Sequence, residues 1–398
     1  MWKKTFVSAF IAQVLSIFGF SFAMPFLPFF ISELGTYSKG QQAFWSGIAL
    51  GSTAVTLGIF APLWGILADR YGRKMMVCRA MFGGTVVLLL MSMVRTVGQL
   101  VACRLLQGVF TGTIAASVAL VASVTPPHRC GLTLGMMQAA VFIGMCLGPL
   151  FGGVVADILG YRAAFLIGAL IVLAGGLLVL LGVHEEFVPP DKEKDGPAMG
   201  FREILMIGGF MMAVLVMFGV RASESMINPS FPLIIKEIVP NSKNLNSITG
   251  FVVAMAALSG ALSAALLGHM GDRWGQKRIL VGCCVFASVA SLGHFFAYTI
   301  PFLFAARILF GLSVAGMLPA ANAMIYSVID KRCIGKAYGV ATSLSMIGAA
   351  LGPFTGGTIA RFTALRTPFL FVAAAQIILA YLIGVYVKTS VKPSSKLY

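Results

Sequence analysis

Runs of predominantly apolar residues alternate with short polar stretches along the whole chain. They cover about 5–31, 44–67, 75–94, 99–124, 132–158, 162–183, 204–235, 247–270, 279–298, 301–328, 335–360 and 367–387. As an α-helix, each run is long enough to cross a hydrocarbon core of ~30 Å. The pattern predicts an all-α membrane protein with twelve transmembrane helices, numbered here as spans 1 to 12. Between spans 6 and 7, the stretch from His184 to Gly200 holds Pro189-Pro190 and the mixed-charge run Asp191-Lys-Glu-Lys-Asp195. It reads as a linker. The predicted organisation is a six-helix half at 1–183, a linker at 184–203, and a second six-helix half with a short tail at 204–398.

The halves align by subtraction. Pro25, Pro28 and Glu33 recur as Pro229, Pro232 and Glu237, each 204 positions on. Asp69, Arg104 and Gly108 recur as Asp272, Arg307 and Gly311, each 203 positions on. One residue of drift across a half is what a duplicated unit shows, so two pseudo-symmetric halves are expected, with the substrate path between them near the midplane.

Two polar turns carry a shared pattern. Gly65-Ile-Leu-Ala-Asp69-Arg70-Tyr-Gly72-Arg73-Lys74 closes span 2, and Gly268-His-Met-Gly-Asp272-Arg273-Trp-Gly275-Gln-Lys277-Arg278 closes span 8. Asp69 falls at a helix C-terminus, where the dipole disfavours an anion, so it needs donors; Arg70 and Arg73 are local candidates. Gly65 and Gly72 suit close approach and a tight turn. A merely solvated turn is the plainer reading. The stretch resembles the loop between helices 2 and 3 of the major facilitator superfamily, and its second copy resembles that family's loop between helices 8 and 9. The resemblance implies the major facilitator fold and an inner gate built on Gly65, Asp69, Arg70, Gly72, Arg73, Asp272 and Arg273. It also implies that Asp69 meets the N-terminus of span 11 near Gly335 and Lys336.

Span 5 carries Gly144-x-x-x-Gly148-Pro149-x-x-Gly152-Gly153, and Gly148 to Gly153 recurs at Gly352 to Gly357. Small residues on one face favour close helix packing, and the proline removes a backbone donor, so a kinked, tightly packed helix is expected. The pattern resembles the antiporter motif of drug-exporting facilitators. Gly19-x5-Pro25-x2-Pro28 on span 1 is similar to another motif of the twelve-span exporters. Together they imply a bacterial multidrug:proton antiporter.

On span 4, Arg104, Gln107 and Thr111 form a polar stripe, and a buried cation there must face the bundle interior and be paired. In the resembling family this arginine is linked to proton handling through an acid often on helix 1. Span 1 has no carboxylate before Glu33, at its outer end. Of the 13 acids, Glu224 is the one expected inside, on span 7 between Arg221 and Asn228. It is read either as a proton site coupled to Arg221 and Arg104 or as a permanent ion pair with Arg221. Phe18, Phe22 and Phe26 line one face of span 1. If that face meets a cavity, Phe22, Phe26, Gln107, Thr111, Met226, Asn228 and Asn322 supply an adaptable wall; otherwise it is packing or lipid contact.

Composition agrees: 59% of the residues are hydrophobic and 11% charged, which suits a bilayer and not a soluble domain. The net charge of +16 is spread over short loops, so nucleic acid is not the expected partner. With the N-terminus inside, nineteen of the 29 Lys and Arg fall on the inner side and seven on the outer, which predicts cytoplasmic termini. The first run is read as a membrane span, with no cleavable signal. The seven cysteines and four histidines show no metal-ligand or redox spacing. No phosphate-binding loop or nucleophile elbow is present, so neither an enzyme nor a cofactor is expected, and uphill transport would draw on a proton gradient. The expectation is a monomeric exporter of lipophilic or cationic compounds in the bacterial inner membrane, working by alternating access. Its rival is a dedicated carrier of one endogenous solute, a lipid-like molecule, sugar or siderophore, with Arg104, Arg221 and Arg307 reading an anionic group.

Overall fold

The computed structural model describes residues 2–185, 187, 206–329 and 334–386. Their regular structure is helical: α1 (Trp2–Ser21), α2 (Leu27–Glu33), α3 (Lys39–Tyr71), α4 (Arg73–Met93), α5 (Val97–Phe110), α6 (Thr113–Val124), α7 (Pro127–Gly182), α8 (Gly208–Met226), α9 (Phe231–Ile238), α10 (Leu245–Trp274), α11 (Gln276–Phe295), α12 (Ile300–Val328), α13 (Ile334–Phe362) and α14 (Thr367–Tyr386). The linker expected at 184–203 lies outside the described residues except for His184, Glu185 and Phe187.

Eleven helical stretches among the described residues are long and apolar enough to cross a membrane. The stretch His128–Gly182 is 55 residues long, far beyond one crossing. Gly160, at φ 83° and ψ 171°, breaks it into spans 5 and 6. Twelve crossings result.

Among the described residues, three spans are discontinuous. Span 1 breaks between α1 and α2 around Pro25, and span 7 breaks between α8 and α9 around Pro229. Each proline lacks the amide that the helical ladder would need, and the breaks repeat at the same place in both halves. Span 4 breaks at Thr111–Gly112, where Gly112 has φ 117°, but its counterpart α12 runs unbroken. The duplication is therefore inexact at that point.

Packing explains the repeated glycines. A methyl group at Gly144 or Gly148 would collide with Ile17 or Ser21 of α1, and one at Gly152 with the backbone of Phe22 just beyond it. In the second half Gly348, Gly352 and Gly356 stand equally close to Phe218, Ser225 and Met226 of α8. The next residues reach across: Gly153 abuts Asn246 of α10, and Gly357 abuts Ala43 of α3. Gly250 likewise takes the Pro149 carbonyl, and Gly47 takes that of Pro353. Hydrophobicity does not drive helices together in lipid, so backbone approach of this kind is what holds the halves.

These contacts cluster toward one side. At the far ends of the same helices, a methyl at Gly58 or Gly65 of α3, at Gly131 or Gly135 of α7, or at Gly339 of α13 would meet nothing within 4 Å. Ile59, Leu63 and Ile66 are exposed there, as are Leu262 and Leu266 of α10. The halves touch on one side and part toward the other, the side on which Trp2 and Tyr386 lie.

Candidate transport site

The polar groups in the first half are assembled around the end of α5. Arg104 and Gln107 are both buried. Arg104 donates from Nε to the Ala49 carbonyl at 3.1 Å and from Nη1 to Met24 Sδ at 2.9 Å and to Gln107 Oε1. The guanidinium is thus held by neutral acceptors from three elements. Thr111, at the break, donates its hydroxyl to the Gln107 carbonyl at 2.7 Å.

Ending α5 at mid-membrane frees carbonyls that need donors. Trp64 Nε1 donates to the Val109 carbonyl at 2.7 Å, and Arg79 Nη1 to the Phe110 carbonyl at 3.1 Å. The Arg79 guanidinium carbon lies 3.6 Å from the Trp64 ring centroid, close enough for a strong cation–π contact. Thr53 and Thr56 donate to the Arg104 and Leu105 carbonyls, each at 2.9 Å. Gly108 permits this approach, since a side chain there would strike Thr53 and Thr56.

In the second half, Arg221 Nη1 lies 3.3 Å from Glu224 Oε2, and the two side chains are 37% and 38% exposed. Asn228 is exposed and Met226 and Asn322 are half-buried. Tyr338 donates its hydroxyl to the Asn322 carbonyl at 2.8 Å. Arg307 is buried, with its guanidinium carbon 4.3 Å from the Phe231 ring centroid.

Phe22 and Phe26, read from sequence either as a cavity wall or as packing, are packed: their exposures are 2% and 1%. Phe22 lies at the α1–α7 contact that Gly152 creates, and Phe26 reaches toward Gly250 of the opposite half. Phe18 is partly buried and sits edge-on to Phe22 and to Phe151, with centroids 5.5 and 6.0 Å away.

The two polar turns share one backbone form. Gly72 has φ 92° and Gly275 has φ 90°, values that favour glycine and allow α3 to pass into α4, and α10 into α11, in one residue. Arg70 and Arg273 are exposed. The side chains of Asp69, Asp272 and Lys336 are outside the described residues, so the expected contact of Asp69 with the start of span 11 near Gly335 and Lys336 lies there too. Glu185 supplies a contact that sequence reading missed. Its carboxylate accepts from the Arg73 amide at 3.0 Å and the Lys74 amide at 2.7 Å, capping the N-terminus of α4.

The opposite side is closed by carboxylates that sequence reading placed only at the surface. Asp157 Oδ1 accepts from Asn246 N at 3.0 Å and Nδ2 at 2.9 Å, while Oδ2 accepts from Ser247 N at 2.7 Å and Oγ at 2.6 Å. A residue of the first half thus caps a helix of the second. Lys39 and Glu237 also meet across the halves at 3.3 Å. Pairings of this sort depend on how the halves dock, and no local pattern announces them.

Comparison with known proteins agrees with this architecture. The chain is 32% identical over 373 residues to a multidrug resistance efflux pump PmrA homolog of Lactococcus lactis, covering 92% of this chain and 90% of that one. It is 31% identical over 376 residues to the multidrug resistance protein MdtG of Escherichia fergusonii, covering 94% and 91%. A bacterial homolog of the human lysosomal transporter Spinster, solved in an inward-facing and occupied conformation, superposes with a TM-score of 0.79 at 14% identity over 96% of both chains. The human organic anion transporter MFSD10 does so with a TM-score of 0.69 at 18% identity over 96% of this chain and 99% of that one. At those identities the two structures speak to the fold. The profile of the Major Facilitator Superfamily matches residues 9–222 and 213–397, and with two six-helix halves packed through repeated glycine faces, the chain belongs to that superfamily.

Proposed function

We propose that the protein exports lipophilic or cationic compounds across a bacterial inner membrane in exchange for protons, by alternating access, with both termini in the cytoplasm. The relatives named as multidrug efflux pumps support drugs as the substrate class. The single observation that carries proton exchange is Glu224, a half-exposed carboxylate within a membrane span, held by one half-exposed arginine at 3.3 Å. A group in that position is reachable from the cleft and can trade its arginine for a proton or a cation. Cleft and seal on opposite sides support alternating access: one face of the binding region is open while backbone contacts and the Asp157 cap close the other.

The test is efflux of a fluorescent lipophilic cation from proteoliposomes with an imposed pH gradient. Wild type is expected to move the dye with the gradient, and Glu224→Gln to lose gradient-driven movement while still binding the dye. Full gradient-driven activity in Glu224→Gln would make the Arg221–Glu224 pair structural. Strict selectivity for one anion in wild type would favour the dedicated carrier.

A further inference from the structure

Arg104 and Arg307 occupy equivalent positions in the two halves, yet their surroundings differ. Arg104 has Gln107 one turn along as a side-chain acceptor. The residue at the matching place after Arg307 is Phe310, which can accept no conventional hydrogen bond. The consequence is visible: Arg307 is 8% exposed, and its Nε and Nη1 have no hydrogen-bond partner among the described residues. Its guanidinium carbon is 4.3 Å from the Phe231 centroid and 5.8 Å from that of Phe310. Two aromatic faces compensate only part of the cost of a buried cation.

The surroundings offer little else. His294 is fully buried against Phe231, Phe310 and Phe369, and its Nδ1 is 2.7 Å from the Ala290 carbonyl, so that nitrogen donates. The other ring nitrogen then carries only a lone pair. A neutral acceptor could ease the charge of Arg307 but not balance it. The carboxylate within span 7 is Glu224, seven residues before Phe231, the ring that covers Arg307. That group is now engaged at 3.3 Å by Arg221, in a half-exposed pair of the kind that contributes little. The span-7 break lies between the two: α8 ends at Met226, two residues after Glu224, and α9 opens with Phe231, whose ring stacks on Arg307.

We propose that Arg307 is the alternate partner of Glu224: during the cycle the carboxylate leaves half-exposed Arg221 and closes on buried, under-partnered Arg307, with the span-7 break as the joint. Arg307 is then a positioning residue that fixes where the carboxylate waits when it carries no proton. This rests on the proton-exchange reading above.

The experiment compares wild type, Arg307→Gln, Arg307→Lys, Glu224→Gln and the Glu224→Gln/Arg307→Gln double variant in proteoliposomes, using ethidium as the probe. Arg307→Gln is expected to lower gradient-driven efflux about tenfold or more with ethidium affinity little changed, and Arg307→Lys to recover part of the rate. The double variant should be no slower than Glu224→Gln, because both changes cut one interaction. Should Arg307→Gln fail to fold, the infrared carboxylate band lost in Glu224→Gln is expected to shift in Arg307→Lys and not in Arg104→Lys. Wild-type rates in Arg307→Gln, losses that multiply in the double variant, or a band indifferent to Arg307→Lys would overturn the proposal. So would an Arg307→Gln protein that exports ethidium normally but no longer binds an anionic dye, which would assign the arginine to substrate. Absence of gradient-driven efflux in wild type would instead sink the proton-exchange reading itself.

Discussion

Replacing Asp157 with Asn should release the closed side of the protein. The carboxylate accepts four hydrogen bonds at 2.6–3.0 Å from Asn246 and Ser247, two on each oxygen. An amide keeps one oxygen and turns an NH2 group toward two donors, so two bonds are lost along with the charge at the N-terminus of α10. Hydrogen bonds to a charged group contribute about 1.5–3 kcal/mol when buried; at this partly exposed position about 1 kcal/mol each is the fairer figure. The closed arrangement then loses about 2 kcal/mol against one in which these groups are hydrated, a shift of roughly 30-fold in the equilibrium. Ser247→Ala removes one bond, about 1 kcal/mol, and should shift it roughly fivefold. Nitroxides at Arg95 and Lys243, one on each half on that side, would report the change as a longer-distance population in pulsed dipolar spectroscopy. Identical distance distributions in wild type and Asp157→Asn would refute the idea that this cap holds the halves together.

Other expectations follow from the packing. Gly47→Leu should drive a side chain into the Pro353 carbonyl and wedge α3 from α13, so that transport is lost while the separate halves keep their helices; cysteine accessibility at Lys39 would rise. Trp64→Phe leaves the Val109 carbonyl without its indole donor, and Arg79→Leu leaves that of Phe110 without its guanidinium. Each should cost about 1–3 kcal/mol, read as a lower thermal midpoint in detergent, and the double variant should cost less than the two together because Arg79 and Trp64 stack.

Local chemistry was legible from residues alone, and contacts between distant helices were not. Gly72 and Gly275 could be read as turn residues because the turn itself demands their backbone form. The small face from Gly144 to Gly153 could be read as a packing face because its spacing matches the helix. Phe22 and Phe26 show the limit: periodicity defines a stripe but not which neighbour the stripe meets. The break at Gly112 escaped notice because a glycine in an apolar run is ordinary, and what makes a break tolerable there, Trp64 and Arg79, sits on two other helices. Asp157 and Glu185 looked like surface acids for the same reason, since their helix N-termini are supplied from 89 and 112 positions away.

The paired contacts of Gly47 with Pro353 and Gly250 with Pro149 define a line through the molecule. Any rotation of one half about that line acts through arms of unequal length. Gly65 lies eighteen residues along α3 from Gly47, about 27 Å at the helical rise, whereas Lys39 lies eight residues the other way, about 12 Å. Ten degrees of rotation would sweep the Asp69 turn through about 5 Å but the Lys39 end through about 2 Å. A lever so divided converts a small parting at its short end into a wide mouth at its long one.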